Sequence, residues 1–389
     1  MKMKKSLLAM AVGGALVPML AHADFNFYGR LNTDYEYSKV GSGVNSVGSF
    51  NQISGLIGSS YITSPNASGS GLKNNNSRLG VRGSEDLGGG LKGIFQLETA
   101  FDSATGASGL GGTLRDTYAG FQSDSWGRLR AGRISNINYA ATIGTLPDVN
   151  YDTGSSSDGL YRLAGETPGT GSTFYERMAN VVEYKTPNFG GFVGTVQHSG
   201  NPTNGTLTNT AGSTARQNDA NLWAVNGQFS QGPLYLTLGV TTFKRENVST
   251  AGSSAGGLST TDATAAGSKF DDWNFAAQYD FKVIKAGLFW ERFKDKTSGL
   301  SLDAFDYYRV SLSIPVMGSN EVVVNAGRSN LKNNSLVGTS GHGKLFQVGY
   351  KHNLSKTLRL YTWYQHFNGD DSVSDNEIKT LSAGLSYNF

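Results

Sequence analysis

The sequence predicts a closed, 16-stranded antiparallel β-barrel that crosses a membrane, with short turns at one end and long loops at the other. Three observations carry this: a secretory leader, period-2 alternation along most of the remaining chain, and connections that alternate between short and long. The composition fits. Charged residues are 16 % of the chain and the mean hydropathy is −0.31, which is odd for a soluble enzyme and ordinary for a wet interior inside an apolar wall. Glycine supplies 52 of 389 residues against 8 prolines, so collagen-like and proline-rich readings fall away. The absence of cysteine excludes disulfide frameworks, thiolate metal sites, iron–sulfur clusters and cysteine nucleophiles.

The leader occupies residues 1–23. Lys2, Lys4 and Lys5 form a basic start, Leu7 to Leu20 an apolar stretch broken by Pro18, and Ala21-His22-Ala23 a cleavage site ending at Ala23. That stretch is too short for a spanning helix, which takes about 20 apolar residues. Its three lysines account for the whole formal charge of +3, so the chain from Asp24 to Phe389 is neutral overall. Net charge therefore offers no argument for a nucleic-acid partner.

The first strand starts at Asp24. Phe25, Phe27, Leu31, Tyr35 and Tyr37 fall on one face, and Asn26, Tyr28, Arg30, Asn32, Asp34 and Glu36 on the other. Further alternating segments lie near 76–83, 91–102, 113–121, 126–133, 176–186, 191–199, 220–230 and 233–243. They continue near 271–280, 283–293, 305–315, 320–329, 344–354 and 357–367, and the last strand ends at Phe389. Short links include Leu87-Gly88-Gly89-Gly90, Ser123-Asp124-Ser125 and Thr186-Pro187-Asn188. Between them sit longer Gly/Ser/Thr/Asn-rich stretches near 38–75, 103–112, 134–175, 200–219, 244–270, 294–304, 330–343 and 368–378. An even number of strands joined in this way is the pattern of an outer-membrane barrel. In hydrocarbon an open sheet edge leaves peptide groups unpaired, so the sheet must close. At this strand number the interior is too wide for side chains to fill, which leaves an aqueous channel. A soluble sandwich explains the alternation but neither the loop asymmetry nor the aromatic residues at strand ends.

The stretch Ser77-Arg78-Leu79-Gly80-Val81-Arg82-Gly83-Ser84-Glu85-Asp86-Leu87-Gly88-Gly89-Gly90-Leu91-Lys92-Gly93 resembles the second strand, first turn and third strand of the trimeric general porins of Gram-negative bacteria. Tyr28-Gly29-Arg30, Gly132-Arg133, Leu146-Pro147-Asp148, Pro187-Asn188-Phe189-Gly190-Gly191 and the terminal Phe389 match in order. The resemblance implies an outer-membrane general porin that forms a homotrimer and passes small hydrophilic solutes and ions by passive diffusion. It implies contact with outer-membrane lipid and lipopolysaccharide, delivery by the barrel-assembly machinery with Phe389 as insertion signal, and no cofactor or metal. It also implies that loop 134–175 folds inward as a constriction loop.

Carried over by position, the basic wall of the constriction falls on Arg30, Arg78, Arg115 and Arg177, with Arg82, Arg128 and Arg130 as further candidates. Alternation supports lumen positions, since a charge facing lipid costs about 2–4 kcal/mol near mid-membrane. On the strand near 176–186 it sets Arg177 against Met178, Val182 and Tyr184. Asp148 matches the family's loop acid, while Asp152, Asp158 and Glu166 are further candidates. The family's second loop acid falls near Gly144, so the constriction is expected to tilt towards anions.

Two alternatives belong to other classes. A barrel-borne hydrolase needs a base near a nucleophile, and His198, His342, His352 and His366 are the mature chain's histidines. His198 and His366, with Asp370 and Asp371, sit near external strand ends, but no nucleophile stands out. A substrate-specific channel is expected to carry 18 strands and an aromatic track, and neither is evident. Gly88-Gly89-Gly90 is a turn rather than a phosphate cradle, because no G-K-[ST] follows.

Overall fold

The computed structural model describes residues 24–41, 68–106, 114–142, 145–148, 176–200, 220–245, 269–296, 304–334, 339–371 and 375–389. The leader with Ala23, and the loop stretches between these ranges, lie outside the described residues. One antiparallel sheet contains every strand. Strand β1 is Asp24–Val40, and β2 comes in two segments, Ser68–Asn74 and Arg78–Gly88. Strands β3 to β5 are Leu91–Ala100, Thr117–Ser123 and Gly127–Ser135, followed by a short helix α1, Ile137–Thr142. Then come β6 Arg177–Lys185, β7 Phe192–Ser199, β8 Ala220–Gln231, β9 Leu234–Arg245, β10 Lys269–Asp280 and β11 Lys285–Asp295. The circuit finishes with β12 Ala304–Pro315, β13 Glu321–Asn334, β14 Thr339–Asn353, β15 Leu358–Asp371 and β16 Asp375–Asn388.

Each strand pairs with its chain neighbours, and β1 closes the circle on β16 from Arg30↔Asn388 to Val40↔Ile378. Both segments of β2 pair with β1, so they count as one strand and the barrel has 16. The expected short turns all occur at one end. In the first of them Gly88, Gly89 and Gly90 have φ of 85°, 62° and 78°, a run that side-chain-bearing residues rarely adopt.

The two faces are inverted relative to a soluble protein. Phe25 and Phe27 are 63 % and 69 % exposed, and Leu31, Tyr35 and Tyr37 share their outward face. The inward face is polar and covered: Asn32, Gln197, Asn274, Ser311, Asn325 and Gln347 are all fully buried. Period 2 thus sorts apolar residues to lipid and polar ones to the lumen, as the sequence pattern predicts.

Three expectations change. Ser68–Asn74 was expected within loop 38–75 but forms a strand, and β13 to β16 run several residues further outward than the alternation indicates. These ends are rich in Gly, Ser and Asn. Small and polar residues give too little contrast in hydropathy to mark a period, while the backbone ladder continues. The third change concerns Met178. It is fully buried, opposite in phase to Val182 and Tyr184, which are 52 % and 41 % exposed. The register with β5 shifts between Gly132 and Ile134, leaving Ala179 and Asn180 opposite Arg133 alone, and Asn180 has φ 55°. That extra residue reverses the side on which Met178 lies and with it that of its neighbour Arg177, which was expected to face the lumen.

The barrel seam ends on the last residue. Gly29 N–H donates to the Phe389 carbonyl at 2.9 Å, and Phe389 N–H to the Gly29 carbonyl at 3.1 Å. The phenyl ring fills the space over Gly29, where a Cβ would lie 2.3 Å from it. Deleting Phe389 is expected to lower the fraction of heat-modifiable folded barrel recovered from membranes, because it removes both seam bonds and the ring. Recovery equal to wild type on unheated gels would show that the seam does not need this residue.

Candidate functional site

A loop base and a loop tip, both on the inner wall, organise the site. Asn136 caps α1 through its Oδ1, which accepts from Asn138 N–H at 3.0 Å. Ile137 N–H donates to Gln197 Oε1 at 2.9 Å, and Asn138 Nδ2 donates to Thr241 Oγ1 at 2.9 Å. Asn226 Nδ2 donates to Asn138 Oδ1 at 3.0 Å, and Tyr235 OH to the Ala141 carbonyl at 2.7 Å. The helix therefore lies on the wall formed by β7 to β9. The tip follows the wall round: Arg309 Nη2 on β12 donates to the Pro147 carbonyl at 2.7 Å and sits 3.4 Å from Asp148 Oδ2. Leu146 covers Gly287 on β11, where a Cβ would lie 2.6 Å from its side chain.

Below Gln197 the loop base rests on a buried ion network. Glu183, fully buried on β6, accepts from Arg128 at 2.8 Å, from Arg130 at 2.7 and 2.8 Å, and from Gln197 Nε2 at 2.8 Å. The Gln197 amide also donates to the Ser135 carbonyl at 2.8 Å. Arg128 and Arg130 thus have a strong shared partner.

On the β1–β3 wall Arg30 and Arg78 are direct cross-strand partners. Arg78 is 3.9 Å from Glu98, Arg115 binds Glu98 at 2.5 Å, and Arg82 lies over the Tyr28 ring at 5.0 Å. Tyr28 OH donates to the same Glu98 at 2.9 Å. Arg177 instead joins Asp116 and Glu176 at the loop base, each at 3.2 Å. Asp152, Asp158 and Glu166 lie outside the described residues.

A cavity of about 340 Å³ opens under the loop tip at the short-turn end. Arg30, Lys285, Lys351, Lys356 and Arg359 line it against two carboxylates, Asp148 and Glu321. Sequence reasoning missed Arg309, Lys351, Arg359 and Lys285. Arg309 had a usable signal, because it alternates with exposed Tyr308 and Val310 and so points inward. The cations of β14 and β15 continue through Arg30 at the seam to Arg78, Arg82 and Arg115. The described parts of the loop, up to Asp148, lean on the opposite half of the barrel, and buried Asp272 and Glu291 lie there on β10 and β11.

The histidines take polar partners. His198 lies 3.4 Å from Asn221, His342 and His352 2.9 Å from Asn330 and Asn320, and His366 2.8 Å from Glu377. Phe243, Phe270 and Phe293 form an inner row with ring centroids 5.0 Å apart, an aromatic feature the sequence reading did not anticipate. Each ring is about 1 % exposed, so the row packs the wall and offers no open stacking face.

Comparison with known proteins agrees with this architecture. A family model described as Gram-negative porin matches residues 7–372. An outer membrane porin protein of Bordetella pertussis is 27 % identical, with both chains covered completely. Outer membrane porin protein 32 of Delftia acidovorans is also 27 % identical, over 98 % of this chain and 95 % of that one. The solved anion-selective porin from Comamonas acidovorans superposes with a TM-score of 0.67 at 22 % identity, covering 95 % of this chain and all of the other.

Proposed function

The chain belongs to the Gram-negative porin family of outer-membrane channels, and from that premise we propose that it is a general diffusion pore tilted towards anions and not an enzyme. The observation that supports the tilt is the cation-rich cavity under the loop tip, where five basic side chains meet two carboxylates. Basic side chains ringing a pore favour anions. In this reading Arg30, Arg78 and Arg115 form the basic side of the constriction, the loop 134–175 carrying Asp148 forms the acidic side, and Arg177 braces the loop base. Residues 1–23 are a cleaved leader in the same reading.

Assembly as a homotrimer belongs to the proposal. The outer wall of β3 to β6 carries an apolar recess of about 460 Å³ bordered by Phe95, Phe121, Leu129, Ala131 and Val182, a shape that side chains of another subunit would fill. Contact with outer-membrane lipid and lipopolysaccharide, and insertion by the barrel-assembly machinery, follow from the same reading.

Selectivity gives the test. Under a KCl gradient across a planar bilayer, the wild-type zero-current potential is expected to have the sign of anion preference. Asp148→Asn should move it further that way, because the amide keeps the contact to Arg309 and removes a negative charge. A cation-preferring wild type, or a variant that moves towards cations, would defeat the proposal.

A further inference from the structure

We infer that the cavity at the short-turn end of the lumen is a saturable binding site for a small polyvalent oxyanion of phosphate-like chemistry. The inference rests on the anion-tilted reading above and adds a ligand class and a place. Its roof is Thr145 to Asp148, and its walls come from strands far apart in the chain, among them Arg30 on β1, Lys351 on β14 and Arg359 on β15. Both carboxylates of the cavity are already engaged by protein. Asp148 faces Arg309 at 3.4 Å; Glu321 faces Lys351 at 3.4 Å and accepts from Ser313 Oγ at 2.9 Å. The lining thus sets five basic side chains against two carboxylates around a space of about 340 Å³, with Lys285 also 3.9 Å from Asp280 outside it.

Two features separate this from a diffuse basic surface. Each guanidinium is fixed from behind through its Nε: Arg30 donates to Ser386 Oγ at 3.0 Å, and Arg359 to Asn353 Oδ1 at 2.7 Å. Positioned guanidinium forks match the paired oxygens of phosphate or carboxylate, and such charge-assisted bonds are roughly twice as strong as neutral ones. Like charges held this close repel unless a counter-ion joins them. A monovalent ion offsets one charge, whereas a polyvalent oxyanion offsets two or more and accepts from several donors together. The volume lies at the low end of the range for ligand pockets, about 300–1,000 Å³, which suits a small ion with its waters.

Full-length protein in a planar bilayer tests this, with inorganic phosphate added at constant ionic strength to the KCl bath on the short-turn side. Chloride current is expected to fall along a saturating curve. In Arg30→Gln/Arg359→Gln, which leaves the Lys351–Glu321 pair intact, the half-blocking concentration should rise about tenfold, the equivalent of losing one charge-assisted contact. Lys344→Gln, which removes a charge from the outer face of β14, should leave that concentration unchanged. Sulfate acting like phosphate would extend the site to oxyanions generally. A linear, unsaturable response in wild type, or the same half-blocking concentration in the double variant, would overturn the inference. The zero-current potential in KCl alone reads the anion tilt separately, so loss of that reading and loss of this site give different records.

Discussion

With Arg30 and Arg359 both replaced by glutamate, the pore is expected to prefer cations. The two side chains lie on neighbouring walls of one cavity whose own carboxylates are already paired. A unit charge about 7 Å from a permeating ion in water-like surroundings contributes about 0.6 kcal/mol. Reversing two charges therefore changes the balance by on the order of 2 kcal/mol, less the screening of a Debye length of about 10 Å at 0.1 M salt. The permeability ratio should move on the order of tenfold at or below that ionic strength. Arg78→Glu/Arg177→Glu should move it less, since Glu98 partly offsets Arg78, and Asp116 and Glu176 offset Arg177. Equal shifts in the two double variants, or a wild-type zero-current potential in the first, would remove the cavity from the selectivity argument.

Replacing Glu183 with alanine should be the most damaging single change to the folded barrel. Its carboxylate, fully buried, takes hydrogen bonds from Arg128, Arg130 and Gln197. Removing one partner of a buried ion network typically costs about 3–5 kcal/mol, because the remaining charges stay buried without compensation. The effect should extend to conduction. Gln197, released from Glu183, loses the bond that orients its amide towards Ser135 and Ile137, and with it the loop base. A lowered midpoint of heat unfolding in detergent is therefore expected together with noisier single-channel currents, while Glu183→Gln should be milder on both. An unchanged midpoint in the alanine variant would mean that the arginines find other partners.

Much of this was legible in the sequence, for reasons that also mark the limits. The faces of β1 were readable because lipid on one side and water on the other impose opposite demands on neighbouring residues. The turn at Gly88–Gly90 was readable because its backbone nearly requires glycine. Ser68–Asn74 was not, since its small and polar residues, with Leu72 the one large apolar side chain, give too little contrast to show a period. Nor was the phase of Met178, because one extra residue at Ala179 and Asn180 is invisible to a count made from the other side of it. The basic wall could be placed by motif, but its partners could not. Glu98 looks like any inward polar residue of β3, and Arg309 meets Asp148 across 161 positions of sequence. Such pairings arise from barrel closure and loop folding, which no local window contains.

The break in β2 has a consequence of this kind. Below it Arg30 faces Arg78, and above it Thr33 faces Asn74, so three residues, Asn75 to Ser77, stand opposite two. Asn76 takes φ 58°, and Asn32 clasps the irregularity by donating from its amide to the Asn75 carbonyl at 2.9 Å and from its backbone to Ser77 Oγ at 3.0 Å. The extra residue acts as a frameshift in three dimensions: odd positions such as Lys73 look inward above it, and even positions such as Arg78 look inward below. Removing one residue from Asn75–Ser77 would leave the lower strand in frame and turn the upper one inside out. Leu72 would enter the lumen, and Lys73 would leave the buried Glu36 that it meets at 3.0 Å. A barrel can thus lengthen or trim its outer ends residue by residue only where such a joint exists to restore the frame.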